Sequence, residues 1–262
     1  YDESDHDDGE KTFLGETGNF TGEDVIDIIC KNPATPQFIA RHLYHHFVAD
    51  ELPVPQWPFE GPKDPEAIQL MVDAYFANDY SIGAMLRAMF ESDIFKSEVK
   101  RFARIKSPAE VVVGTLRLAG DFDWPTDDVY KATAACNYMG QQLLGPTSVE
   151  GWMGGDDWIS TGSMVQRINF ASDTIGKPDK RGVKAIISRI RDRHPSGNVE
   201  PEALVEDCLG LVGRLRVEDG TLNGLVAFVR EQGDVDPSTE DGAGKITSLL
   251  QLIVSTREYQ LA

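Results

Sequence analysis

Apolar residues recur along this chain with the period of a helix. Ile68, Met71, Val72 and Tyr75, followed by Phe76, fall at i, i+3, i+4 and i+7, and Val183, Ile186, Ile187 and Ile190 repeat that spacing. Alternating strand patterns joined by hairpin turns are nearly absent. The pattern predicts an all-α chain of roughly ten helices in a multi-helix bundle, with no substantial sheet. Helix starts are legible as well. Thr35-Pro36 reads as N-cap and first helical position, and Asp64-Pro65-Glu66 repeats the device. Ser107-Pro108-Ala109-Glu110 is a full capping box. Thr126-Asp127-Asp128 sets two acids in a first turn, where the helix dipole favours them. Ser238 with Asp241 is read as the opening of the last helix.

Three stretches interrupt the helical pattern. DELPVPQWPFEGPK (50–63) holds four prolines and reads as an extended connector. Residues 145–160 form a long Gly/Trp-rich loop. A softer break, DTIGKPDK (173–180), is followed by plainer sequence. It divides a main helical domain, 1–173, from a smaller helical C-terminal region, 174–262.

Composition is that of a globular protein, 41% hydrophobic and 26% charged in 262 residues. No apolar run approaches the roughly 20 residues of a membrane-spanning helix. The opening YDESDHDDGE is acidic, lacks the basic and apolar regions of a leader, and reads as the interior of something longer. Twenty-five basic against 43 acidic residues leave a net charge of −18. That balance argues against nucleic acid and anionic membrane surfaces as partners. It serves solubility, or attraction for cations or a basic partner. Cys30, Cys136 and Cys208 each sit within a helical pattern and none in a CxxC pair, which argues for small buried thiols over a zinc finger.

Three places carry candidate chemistry. Asp2, Glu3, Asp5, His6, Asp7, Asp8 and Glu10 crowd metal-ligand types into the opening. An EF-hand frame with its glycine at Gly9 places Ser4, His6 and Asp8 on ligand positions but Gly15 on the twelfth, and fails. His42 and His46 share a helix face four residues apart, yet Leu43 stands where H-E-x-x-H needs glutamate. Phe38, Ile39, Leu43 and Phe47 read as the buried stripe there, with the two histidines flanking it. In GWMGGDDWI (151–159), Trp152 and Trp158 suit stacking on a sugar ring. Asp156 and Asp157 would bond its hydroxyls, and Gly154 and Gly155 allow close backbone approach. The same tryptophans equally suit closing a helical core. No G-x-G-x-x-G, P-loop or G-x-S-x-G is present. The seven Lys and Arg of residues 177–193 read as a solvated helix face or a contact with acidic surface.

Several phrases together resemble one family. They are HDDGEKTFLG (6–15), NPATPQFIARHLYHHFV (32–48), KSPAEVVVGTLRLAG (106–120) and GQQLLGPTSVEGWMGGDDWISTGSMVQRINFAS (140–172), with the ending STREYQ (255–260). This series is similar to the bacterial family of domains of unknown function numbered eighteen hundred. Thr147 stands where that pattern has a second proline, and His42 and His45 where it has lysine and arginine. The pattern itself includes His6 and Asp7, so these, with Asp8, are the best candidates for a divalent metal. The resemblance implies an exported, periplasmic or extracellular, mostly helical protein. It also implies that this chain corresponds to the C-terminal half of longer members, whose neighbours include an exported phosphatase- or sulfatase-like family. Two functions stay open. One is a non-catalytic binding or assembly protein, partnered by its own missing N-terminal half or by that neighbour. The other is a metal-dependent enzyme or binding module acting on an extracellular polymer such as a polysaccharide.

Overall fold

The computed structural model describes residues 2–52, 56, 58–120 and 128–262, in two compact units, Tyr1–Ala103 and Arg104–Ala262. The all-α expectation holds: the described residues contain twelve α-helices and a single two-stranded hairpin. None of these helices is long and apolar enough to cross a membrane.

The first unit opens with the hairpin β1 (Lys11–Phe13) and β2 (Glu16–Gly18), turned by Leu14 and Gly15 at positive φ. Helices α1 (Gly22–Lys31), α2 (Ala34–Phe47), α3 (Pro65–Ala77), α4 (Ile82–Glu91) and the short α5 (Asp93–Lys96) follow. Tyr44, Met71, Tyr75, Met85 and Met89 form its core. Asp64 caps α3 as the sequence predicts, accepting from the Ala67 amide with Pro65 behind it. Helix α2 differs from expectation. It begins at Ala34, and Asn32 Oδ1 takes the Ala34 amide at 2.9 Å, while Thr35 donates its hydroxyl back to the Ile29 carbonyl. Its buried face is Ala40, Arg41, Tyr44 and Val48, one position round from the expected stripe, and Phe38 and Phe47 are exposed. The physical reason is Arg41, a polar residue drawn inward by a buried carboxylate, Glu51.

The second unit contains α6 (Pro108–Ala119), α7 (Asp128–Tyr138), α8 (Thr161–Ile175), α9 (Arg181–Arg193), α10 (Pro201–Gly213), α11 (Asp219–Glu231) and α12 (Glu240–Val254). Helix α12 packs against α8, α9, α10 and α11 and buries Ile246, Leu249, Leu250, Ile253 and Val254. Helix α6 packs against α7, α8 and α9. The Ser107–Glu110 capping box is present in full. The proposed Thr126–Asp128 start of α7 lies outside the described residues, as do parts of the proline-rich connector. The last helix is capped by Thr239 rather than Ser238, because Asp236 Oδ1 already holds both the amide and the hydroxyl of Ser238. The break at 173–180 coincides with the turn between α8 and α9, inside this unit. Residues at the two ends of the unit pair antiparallel: Arg104 and Ala262 exchange both backbone hydrogen bonds, and the Lys106 amide donates to the Gln260 carbonyl at 2.9 Å. Cys136 and Cys208 are buried thiols and Cys30 is half-buried; all three are free.

Candidate functional site

The opening segment places its candidate ligands around a lysine. Lys11 Nζ donates to the carbonyls of Asp7 and Gly9 and, at 3.0 Å, to Asn19 Oδ1. The Asp7 carboxylate turns to the Gly9 amide at 2.9 Å. His6 Nε2 lies 3.4 Å from Asn19 Oδ1 and 4.0 Å from Asp8 Oδ1. Among the described residues no three His, Cys, Asp or Glu side chains converge as the ligands of a metal would. His42 and His46 are exposed on α2 and edge onto Phe38 and Phe47, and burial with the nearby His45 charge holds His42 below the usual histidine range. At the end of the basic run, Arg193 and His194 both bond Asp207 of α10, so part of that run does contact acidic surface.

The Gly/Trp-rich loop is a folded piece with two aspects. Gly140, Gly151 and Gly155 all take positive φ. At Gly151 this closes a tight turn in which the Gly151 amide reaches the Ser148 carbonyl at 3.1 Å. A 3-10 turn, Gly155–Trp158, then leads into α8. Trp158 is buried, and its carbonyl accepts the Ser163 hydroxyl at 2.7 Å. Trp152 is half-buried, Gly154 is half-buried, Gly155 is buried, and Asp156 and Asp157 are exposed. Other apolar side chains of residues 143–159 are exposed: Leu144 is 98% exposed, Val149 is wholly so, and Leu143, Met153 and Ile159 are exposed to a lesser degree.

A second feature was not foreseen in the sequence. Lys106, Arg167, Tyr259 and Gln260, far apart in the chain, meet where α6 begins, α8 passes and the chain closes. The Lys106 ammonium donates to the Tyr259 carbonyl at 2.7 Å and lies 4.5 Å from the centre of the Tyr259 ring. The Tyr259 hydroxyl meets Thr115 Oγ1 at 2.9 Å. Gln141 Oε1 accepts the Ala109 amide at 2.8 Å, which ties the loop's start to the first turn of α6. Arg167 Nη1 donates to the Lys106 carbonyl at 2.9 Å. Glu110 is held well below the usual carboxylate range by Arg104 and the Ser107 amide, which outweigh its burial. A separate groove of about 720 Å³ lies between α10 and α11, with Glu202 and Arg230 paired on its rim.

Burial pulls the Lys106 ammonium down to about 8, opposed by the Glu110 charge. Between that value and the ordinary 10.5, the unfolded chain binds more proton than the folded one. Folding stability contributed by this group therefore rises as pH rises through that window, and the penalty for burying the charge is fully present below it. Lys106→Met removes the penalty. The penalty is about 3 kcal/mol and the variant forfeits the hydrogen bond to the Tyr259 carbonyl, about 1 kcal/mol, so in urea titrations it is expected to gain about 2 kcal/mol on the parent at neutral pH, and the gap should narrow as pH rises above 8. Parallel stability curves for parent and variant would contradict the burial of the charge.

The chain matches the family described as "Protein of unknown function (DUF1800)" over residues 1–261, well beyond the phrases that carry the resemblance. No curated protein matches it, and no solved structure does. Both units, with the loop and the Lys106–Arg167–Gln260 cluster, lie inside the matched span, and the chain belongs to this DUF1800 family.

Proposed function

We propose that this chain is a non-catalytic, exported binding and assembly protein, and that residues 143–159, most of the Gly/Trp-rich loop with the two residues before it, are its contact surface for a second polypeptide. The partner is the N-terminal half expected of longer family members, or the phosphatase- or sulfatase-like neighbour. The observation that carries the reading is the full exposure of Leu144 and Val149 on a segment whose own anchor, Trp158, is in the core. Exposed apolar side chains on a well-anchored loop gain free energy when covered. The polysaccharide alternative asks two tryptophans to stack on a sugar, and the burial of Trp158 leaves only Trp152 for it.

The test is native mass spectrometry of the protein from its source, with and without Leu144→Asp and Val149→Asp. The parent is expected to travel with a second polypeptide and the double variant alone. The variant's unfolding free energy should stay within about 0.5 kcal/mol of the parent, since both positions are solvent-exposed. A complex that survives both substitutions removes the loop from the interface. A parent that is found alone, with measurable turnover of a polymer, overturns the reading.

A further inference from the structure

The groove between α10 and α11 belongs to neither feature described above. Its space of about 720 Å³ lies in the range of small-molecule sites. Leu209, Leu215 and Val226 line it as buried side chains, and Leu222 adds an apolar side chain that is 37% exposed. Gly210, in the last turn of α10, lines it as well, and a Cβ there would meet nothing within 4 Å. A glycine inside a helix is less stable than an alanine. No neighbouring atom requires one at this position, and what the missing side chain leaves open is the groove.

Charge is distributed unevenly along it. At one end Glu202 and Arg230 pair with each other. At the other, where α10 stops, stands Arg214. It takes the left-handed conformation, φ 53°, that glycine adopts at lower cost. Arg214 is exposed, and its guanidinium has no hydrogen-bond or ion-pair partner among the described residues. Over the whole groove three arginines, Arg214, Arg216 and Arg230, are set against two glutamates, Glu202 and Glu206. The chain as a whole has a net charge of −18, so an excess of one positive charge here reverses the general sign. Along α11 the groove runs from Leu222 to Arg230, a rise of roughly 12 Å. An apolar floor of that length with one uncompensated cation at its end is complementary to an apolar chain with a single negative charge at its own end.

We propose that the α10–α11 groove binds a medium-chain carboxylate, with its acyl chain over Leu209, Leu215, Leu222 and Val226 and its carboxylate on Arg214. The site shares no residue with the surface at 143–159, so this reading and the assembly reading can fail separately.

The test is isothermal titration calorimetry of the full chain with sodium octanoate, kept below the concentration at which it forms micelles. Octanoate is expected to bind at one per chain. Sodium acetate, the head without the tail, should give no binding. The tail without the anion, as 1-octanol or octyltrimethylammonium, should bind at least about fivefold more weakly, the worth of one exposed ion pair. Gly210→Leu fills the groove with a better helix former and should lose octanoate binding without a fall in Tm. Arg214→Gly removes the charge and the backbone strain together. It should raise Tm, weaken octanoate about fivefold to the level of 1-octanol, and leave 1-octanol binding unchanged. This second variant keeps the test decisive if leucine at 210 disturbs the fold. Octanoate that binds both variants as it binds the parent, that binds many per chain, or that does not bind at all overturns the proposal. So does octyltrimethylammonium binding as tight as that of octanoate.

Discussion

Glu51→Ala is expected to destabilise the chain by about 3–5 kcal/mol, the cost of stranding one member of a buried ion pair. The Glu51 side chain has 0% exposure and accepts from Arg41 Nη2 at 2.9 Å, from the Leu52 amide at 3.0 Å and from the Lys63 amide at 3.2 Å. Leu52 and Lys63 bracket the proline-rich connector, so one carboxylate fixes both of its ends to α2. Truncation to alanine removes three acceptor contacts together and leaves the Arg41 charge in a buried position without its carboxylate. Glu51→Gln loses the charge and one of the two acceptor oxygens, since the Leu52 and Lys63 amides donate to different oxygens, and its cost should lie between the parent and the alanine variant. The double change Arg41→Met with Glu51→Leu replaces the pair by apolar groups and should cost less than Glu51→Ala alone, which is the signature of coupling. Urea titrations followed by circular dichroism measure all three. A Glu51→Ala chain within about 1 kcal/mol of the parent would show that the pair does not hold this unit together.

That same pair explains where the sequence misled. Capping chemistry is local, so Asp64 before α3 and Ser107 with Glu110 before α6 were legible from four residues each. The phase of α2 was not. Apolarity put Phe38 and Phe47 inside, whereas the fold puts Arg41 inside, because Glu51 returns from ten positions along the chain to meet it. A contact of that kind leaves no trace in periodicity. The cap of α12 failed on a shorter scale: Asp236 competes for Ser238 and shifts the helix start by one residue. The hairpin at Lys11–Gly18 was missed because strands of three residues are too short to show an alternation.

The site was half legible in the same sense. The phrases KSPAE and STREYQ belong to the family pattern, and the fold brings Lys106 of the first against Tyr259 and Gln260 of the second. Arg167 lies within the phrase 140–172, but a single arginine in an amphipathic helix reads as surface. One signal was available. Counting by fours from Ser163 gives Arg167, Ala171 and Ile175, and an arginine on a stripe with alanine and isoleucine is a buried arginine. The tryptophan loop is unusual in composition, but nothing in that composition distinguishes Trp158, which is buried, from Val149, which is not.

Gly182→Ala is expected to cost about 3 kcal/mol, the upper end for overpacking, because the obstacle is backbone and has no rotamer to change. Gly182 begins α9 where that helix meets the end of α6. A Cβ there would stand 1.9 Å from the Leu118 carbonyl oxygen and 2.7 Å from the Ala119 carbonyl carbon. The opposing residue, Gly120, closes α6 in the left-handed region at φ 71°, and a Cβ on it would meet the Gly182 amide nitrogen at 2.9 Å. Each glycine therefore faces the other's backbone, and a side chain at either would push α6 and α9 apart. Gly224 provides the matching control. It is exposed on α11 with nothing within 4 Å of a Cβ. Gly224→Ala should stabilise by about 0.5–1 kcal/mol through helix propensity alone. The same chemical change thus carries opposite signs at two helical glycines, and urea titration of the two single variants reads both. A Gly182→Ala chain as stable as its Gly224→Ala counterpart would mean that α6 and α9 do not approach as closely as these distances require.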